Sequence, residues 1–260
     1  MKRIPVRTRS FGAEIAPPER EALAPWVRER RGLGGDLILY QIMHSLALQE
    51  GIDSPCAGGM FYGDRVAACL AGVTDRTVTG EIDLEEEAAI ADVIECTGVR
   101  KGAWFALPAP SLLGLSDAYF HDREEMTDEV VRAYRLLMRE MRDAGAGGHV
   151  LIADTAEEIE LEGIGGKRIC FFPRQQDEGL LAAFLEHQAL LIVGPDQIRS
   201  AARLAEEYEV REVSVLHPTH DDLTAIAAYF DSDAISAGGY TGEGEEGRWK
   251  SLREEAYLIR

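Results

Sequence analysis

Five short apolar runs decide the fold: HVLIA (His149–Ala153), RICFF (Arg168–Phe172), ALLIV (Ala189–Val193), EVSVL (Glu212–Leu216) and DAISA (Asp233–Ala237). They recur about every twenty residues, too far apart for hairpins and at the length that a helical crossover needs. Helix signals fill the gaps. Gly194-Pro195 opens one segment with Ile198, Ala201 and Ala205 on a common face, and Thr219 opens the next. Parallel strands buried on both faces are therefore expected, with short apolar runs in place of alternation.

Working outward, the N-terminal half supplies further strand candidates at Phe11–Ile15, around Thr77–Ile82 and in GAWFALPAP (Gly102–Pro110). A Gly63-Asp64 pair between two apolar runs reads as a hairpin turn. The pattern LILYQIMHSLALQEG after Asp36 predicts a buried helix, and Thr127 is expected to cap a second, whose stripe is Val130, Tyr134, Leu137, Met138 and Met141. The count reaches eight or more strands. The fold expected is α/β, a (β/α)8-like barrel with irregularity in its N-terminal half; an open doubly wound parallel sheet is the alternative. The whole of residues 1–260 is read as a single α/β domain whose clearest repeats lie in 149–237.

Composition narrows the class of function. With 46 acidic against 27 basic residues, the chain carries a formal net charge of -19. An acidic body repels phosphate backbones, so no nucleic-acid partner is expected. No apolar run approaches the roughly 20 residues of a spanning helix, and no membrane partner is expected. Cys56, Cys69, Cys96 and Cys170 are scattered, with no CxxC pair. That pattern reads as reduced thiols in a cytoplasmic protein. Cys56, between Pro55 and Ala57, is the one considered as a nucleophile. A homo-oligomer is compatible with all of this.

Barrels and open parallel sheets place their chemistry after the C-terminal ends of strands, so polar residues just beyond the five runs are the candidates. The densest group is His217-Pro-Thr-His220-Asp-Asp222. Two imidazoles and a nearby acid are the residue types of a three-ligand divalent metal site with an open position. The expected metal ligands are Asp154, His217 and His220, with catalytic roles for His217 and for Asp222 as base. Arg174, beyond RICFF-Pro, is the expected binder of an anionic substrate group. Thr219 and Asp222 also have the spacing of a capping box, as do Thr155 and Glu158, and helix entry explains much of this polarity without chemistry.

The function expected is an enzyme acting on a small polar or anionic metabolite, with metal-assisted hydrolysis or lyase chemistry as its most concrete version. A non-catalytic ligand-binding or assembly protein is the alternative. The cofactor, if any, is not identified by the residues beyond that divalent metal. Gly163-Ile-Gly-Gly-Lys167 lacks the spacing of a phosphate-binding P-loop, and no G-x-S-x-G elbow is present.

Overall fold

The computed structural model describes residues 3–30, 35–245 and 247–259. In chain order the first half comprises β1 (Arg3–Pro5), β2 (Arg7–Ala13), α1 (Arg20–Glu29), α2 (Leu37–Leu48), β3 (Cys56–Gly58), α3 (Gly63–Ala68), β4 (Leu70–Thr74), β5 (Thr77–Leu84), α4 (Glu87–Val99), β6 (Trp104–Pro108), β7 (Ser116–Asp117) and α5 (Arg123–Asp143). The second half alternates: β8 (His149–Ala153), α6 (Glu158–Ile164), β9 (Ile169–Pro173), α7 (Glu178–Leu185), β10 (Leu190–Val193), α8 (Ile198–Glu207), β11 (Glu212–Leu216), α9 (His220–Ile226) and β12 (Ile235–Thr241). It ends on α10 (Gly247–Glu255) and β13 (Tyr257–Ile259).

Two four-stranded parallel sheets, in the orders β3-β6-β8-β9 and β10-β11-β12-β2, form a barrel of eight strands. Each seam between them is closed by a different device. At β2/β3, Ser10 N donates to Ser54 O at 2.9 Å and Ser54 N donates to Thr8 O at 3.1 Å. At β9/β10 a side chain does the stitching. Gln188 Oε1 accepts from Phe171 N at 2.7 Å, and its Nε2 donates to Phe171 O at 3.2 Å and Leu190 O at 2.8 Å. The amide replaces ladder bonds that neighbouring strands would otherwise exchange.

Strand parity sorts the side chains. Inward-facing Phe11, Cys56, Ala106, Val150, Ile152, Cys170, Phe172, Leu190 and Ile192 pack as one cluster that fills the barrel. Their strand neighbours, among them Phe105, Leu107, Leu151 and Phe171, face the helices, where the apolar stripe of α5 is buried. Along the interior Phe11, Phe172 and Tyr240 stack in a column, with ring centroids 5.2 and 4.9 Å apart. Near the N-terminal end Arg9 lies over Trp104, 4.7 Å from its ring centroid, and 3.7 Å from Glu212. The interior is a packed core and not a pore.

The N-terminal half departs from the regular repeat, as its sequence suggested, but not at the expected turn. Gly63-Asp64 begins a helix, α3. The hairpin comes one element later, as β4 and β5 around Asp75 and Arg76, both at positive φ (47° and 62°). α5 begins four residues before the expected Thr127 cap, because Asp122 accepts from Glu124 N at 2.9 Å and Glu125 N at 3.3 Å. Thr127 instead donates its hydroxyl to Arg123 O at 2.7 Å. Among the described residues no helix is long and apolar enough to cross a membrane.

Candidate functional site at the C-terminal ends of the strands

Two groups of polar residues stand at this end of the barrel. The first rings the axis. A bulge near the end of β2 creates it: the register with β12 shifts between Gly239 and Thr241, and Gly12 adopts φ 116°. A Cβ at Gly12 would lie 2.7 Å from that of Ala106. The extra residue reverses parity, so Phe11 stays inside, Ala13 packs outside with the helices, and Glu14 turns in to accept the Tyr240 hydroxyl. Glu14 Oε1 also accepts from Met60 N at 2.9 Å. Burial first, then the Glu14 charge, pushes the Tyr240 phenol well above its usual range.

Asp154 and Arg174 follow β8 and β9 on the inward parity of Val150 and Ile152 and of Cys170 and Phe172. They pair through two parallel bonds, Arg174 Nε donating to Asp154 Oδ1 at 2.8 Å and Nη2 to Oδ2. The guanidinium holds the Asp154 carboxyl below its ordinary value, against a smaller opposing effect of burial. Both side chains keep contact with solvent, at 27% and 39% exposure.

The other expected residues point elsewhere. His217 continues the outward parity of Val213 and Val215, at φ 47°, and packs against the outer side of β12. Its Nε2 lies 2.6 Å from Tyr240 O and 3.2 Å from Tyr240 N, so the ring is engaged by the backbone of β12. Burial lowers its pKa. His220 stacks on Tyr257 at 5.3 Å, outside the barrel, with Nδ1 3.3 Å from Glu255 Oε2. Asp222 is consumed by the capping box: its Oδ2 accepts from Thr219 N at 2.8 Å and from Thr219 Oγ1 at 2.7 Å. Asp154, His217 and His220 therefore do not converge, and among the described residues no group of three His, Cys, Asp or Glu side chains is placed to hold a metal ion. Thr155 and Glu158, unlike Thr219 and Asp222, form no capping box, since α6 starts at Glu158 with Glu157 before it and no side-chain cap. Cys56 is enclosed in the barrel core, where burial pushes its thiol well up and leaves no reactive thiolate.

The second group lies beside the axis; the sequence offered His121 and Arg123 of it, as a polar turn that either lines a loop over the cleft or is simply solvated, but not Glu160. A cavity of about 530 Å³ opens between the segment after β6, the start of α5 and the start of α6. The turn at 110–113 separates it from the barrel. Leu112 packs on the interior cluster, while its neighbour Ser111 lines the cavity. Facing Ser111 is Glu160, only 3% exposed. Its Oε1 accepts from Ser111 N at 2.6 Å and its Oε2 from the hydroxyl at 3.2 Å. Burial raises the Glu160 carboxyl to about 7, and these two bonds only partly offset that effect. Close helix packing positions it: a Cβ at Gly163 would lie 2.4 Å from Val131 Cγ1, so glycine lets α6 sit against α5.

The cavity is chemically mixed. Asp117, His121, Arg123 and Glu157 provide polar groups, and Leu115, Met126 and Val130 provide an apolar wall. Asp117 is fixed by accepting from Tyr119 N at 3.0 Å and Phe120 N at 2.9 Å. A carboxyl that titrates near neutrality in such a recess can take or return a proton under ordinary conditions.

No protein-family model matches the chain, and the comparison with curated proteins finds no match. Solved structures do match over nearly the full length. The chain resembles a candidate vitamin-B12-independent methionine synthase from Listeria monocytogenes with a TM-score of 0.60 at 16% identity, covering 96% of this chain and 94% of that one. It resembles a B12-independent methionine synthase from Shewanella sp. W3-18-1, in complex with selenomethionine, with a TM-score of 0.57 at 13% identity, covering 97% and 96%. At these identities the likeness establishes the fold, an α/β barrel of parallel strands.

Proposed function

We propose that the chain is an enzyme acting on a small polar metabolite with an anionic group, bound in the cavity beside the barrel mouth. Glu160 is the proton-transfer residue and Arg123 the charge that steadies the substrate. The observation that carries this reading is Glu160 itself: a nearly inaccessible carboxyl, raised to about 7, lining a cavity at the strand ends where barrels place their chemistry. Ionised, it is a base; protonated, an acid. Ser111 fixes its orientation in both states.

The metal-assisted version required Asp154, His217 and His220 as ligands, and their placement gives it no support. Acid–base chemistry by Glu160 takes its place. Arg174 is engaged by Asp154, so its anion-binding role requires the substrate to share or displace that carboxylate. The Shewanella protein was solved with a small amino acid bound, a metabolite of fitting size. Its likeness supplies the fold, and the substrate class here rests on this chain's own residues.

A specific observation also favours binding without chemistry: both Glu160 oxygens are already occupied by Ser111. One experiment separates the two readings. Small carboxylate-bearing metabolites are screened by thermal shift against the wild-type chain and Arg123→Ala, and each hit is followed for turnover by NMR with wild type and Glu160→Gln. The enzyme reading expects a hit weakened by Arg123→Ala, turned over by wild type and not by Glu160→Gln. A hit that binds and never reacts supports the ligand-binding reading, and the absence of any hit contradicts both.

A further inference from the structure

A second recess lies toward the opposite end of the strands. α5 carries Arg132, Arg135, Arg139 and Arg142 along one side, and with Lys167 and Glu162 these line a groove of about 680 Å³ between α5 and the segment 162–169. Five cations in one groove are unexpected in a chain of net charge -19 that has only 27 basic residues. Arg132 is satisfied by Glu129 at 2.6 Å and Ile82 O at 2.9 Å, and Arg139 has Asp143 at 3.8 Å. Among the described residues no carboxylate pairs with Arg135, Arg142 or Lys167, since the remaining ion pairs join other groups.

An independent observation comes from beneath the groove. His149 opens β8 on the outward parity of Leu151, toward α5, and is fully buried. Its strand partner in register is Ile169, which lines the groove. Both ring nitrogens of His149 lack a partner, and so does the buried Nη1 of Arg142. Burial, and secondarily the Arg142 charge, depresses the His149 pKa to about 3, so the imidazole is neutral and offers one donor and one acceptor. Enclosed polar nitrogens without partners are costly; His149 itself does not line the groove, but the orphaned Nη1 belongs to Arg142, which does, and a guanidinium donor without a partner calls for an acceptor.

We propose that this groove is a binding site for a phosphate-type oxyanion. Guanidinium forks match its paired oxygens, and Lys167 adds a point charge. The groove is larger than a bare ion requires, which favours the phosphate group of a small phosphorylated metabolite over free phosphate. The site is separate from the Glu160 cavity, and its test is independent of that one.

Isothermal titration of the full chain at low ionic strength with inorganic phosphate, ribose 5-phosphate and ribose tests the assignment. Arg135, Arg139 and Lys167 are exposed, so the triple variant Arg135→Ala/Arg139→Ala/Lys167→Ala is expected to retain the fold, checked by its thermal unfolding. The expected result is binding of the phosphate-bearing probes, none of ribose, and at least about a tenfold loss in the triple variant. Preference for ribose 5-phosphate assigns an ester ligand, and equal binding assigns free phosphate. The imidazole nitrogen signals of His149 shift on titration if the ligand occupies this groove. Absence of binding, unchanged binding in the triple variant, or unmoved His149 signals overturns the proposal.

Discussion

Glu160 and Asp154 show how one residue type acquires opposite properties a few residues apart. Asp154 meets a guanidinium and is held below its ordinary value, whereas Glu160 meets only neutral donors in a buried place and rises to about 7. The consequence for stability follows from the sign of the shift. A folded-state pKa above the unfolded one means that Glu160 contributes most stability below pH 4.5, and that this contribution is lost as pH rises through 7. The difference is on the order of 3 kcal/mol. Denaturant titrations at a series of pH values are therefore expected to show Glu160→Gln gaining on wild type as pH rises across that window; parallel curves would count against the buried, raised carboxyl. The Asp154–Arg174 pair is half-exposed and worth less than about 1 kcal/mol, so Arg174→Ala leaves thermal stability nearly unchanged. Glu160 was hidden in an acidic run that reads as helix entry. The available signal was its helical spacing, four residues before Ile164, which places it on the buried face of α6 with Leu161.

At the scale of elements, the bulge in β2 and the amide stitch at Gln188 give the barrel its geometry. Gly12→Ala combines a positive φ with a contact that Ala106 cannot relieve, and it is expected to cost about 1–3 kcal/mol, read as a lowered midpoint in chemical denaturation. Gln188→Ala removes the two bonds that cross the seam to Phe171 and the one that ties the amide to Leu190 on its own side, and leaves Phe171 N without its partner. A loss of about 1–3 kcal/mol is expected, with faster hydrogen exchange at Phe171; unchanged exchange would show that the seam is held otherwise. The five apolar runs made β8 to β12 legible because parallel strands buried on both faces leave continuous hydrophobic segments. That same continuity concealed which face looks inward. Asp154 and Arg174 lie on the inner parity and His217 on the outer, a distinction no apolar run could carry. In the N-terminal half, Gly63-Asp64 has turn composition but starts a helix, because the hairpin reversal is made by Asp75 and Arg76 instead.

Over the whole molecule, the aromatic column of Phe11, Phe172 and Tyr240 fills the barrel axis and moves the usable space aside, to the cavity against α5 and α6. α5 thereby borders two recesses, the Glu160 cavity at its beginning and the basic groove along its later turns. The acidic surface repels anions at long range, so attraction to the basic groove is local and weakens with salt. The barrel could be read from the spacing of its strands, but the location of its cavity depended on which side chains filled the axis. The central claim concerns that cavity, and the most direct measurement is an NMR titration of the Glu160 side-chain carboxyl, assigned by comparison with Glu160→Gln. A midpoint near 7 that moves on ligand binding is the predicted result, and a midpoint at the ordinary glutamate value of about 4.5 would contradict the account.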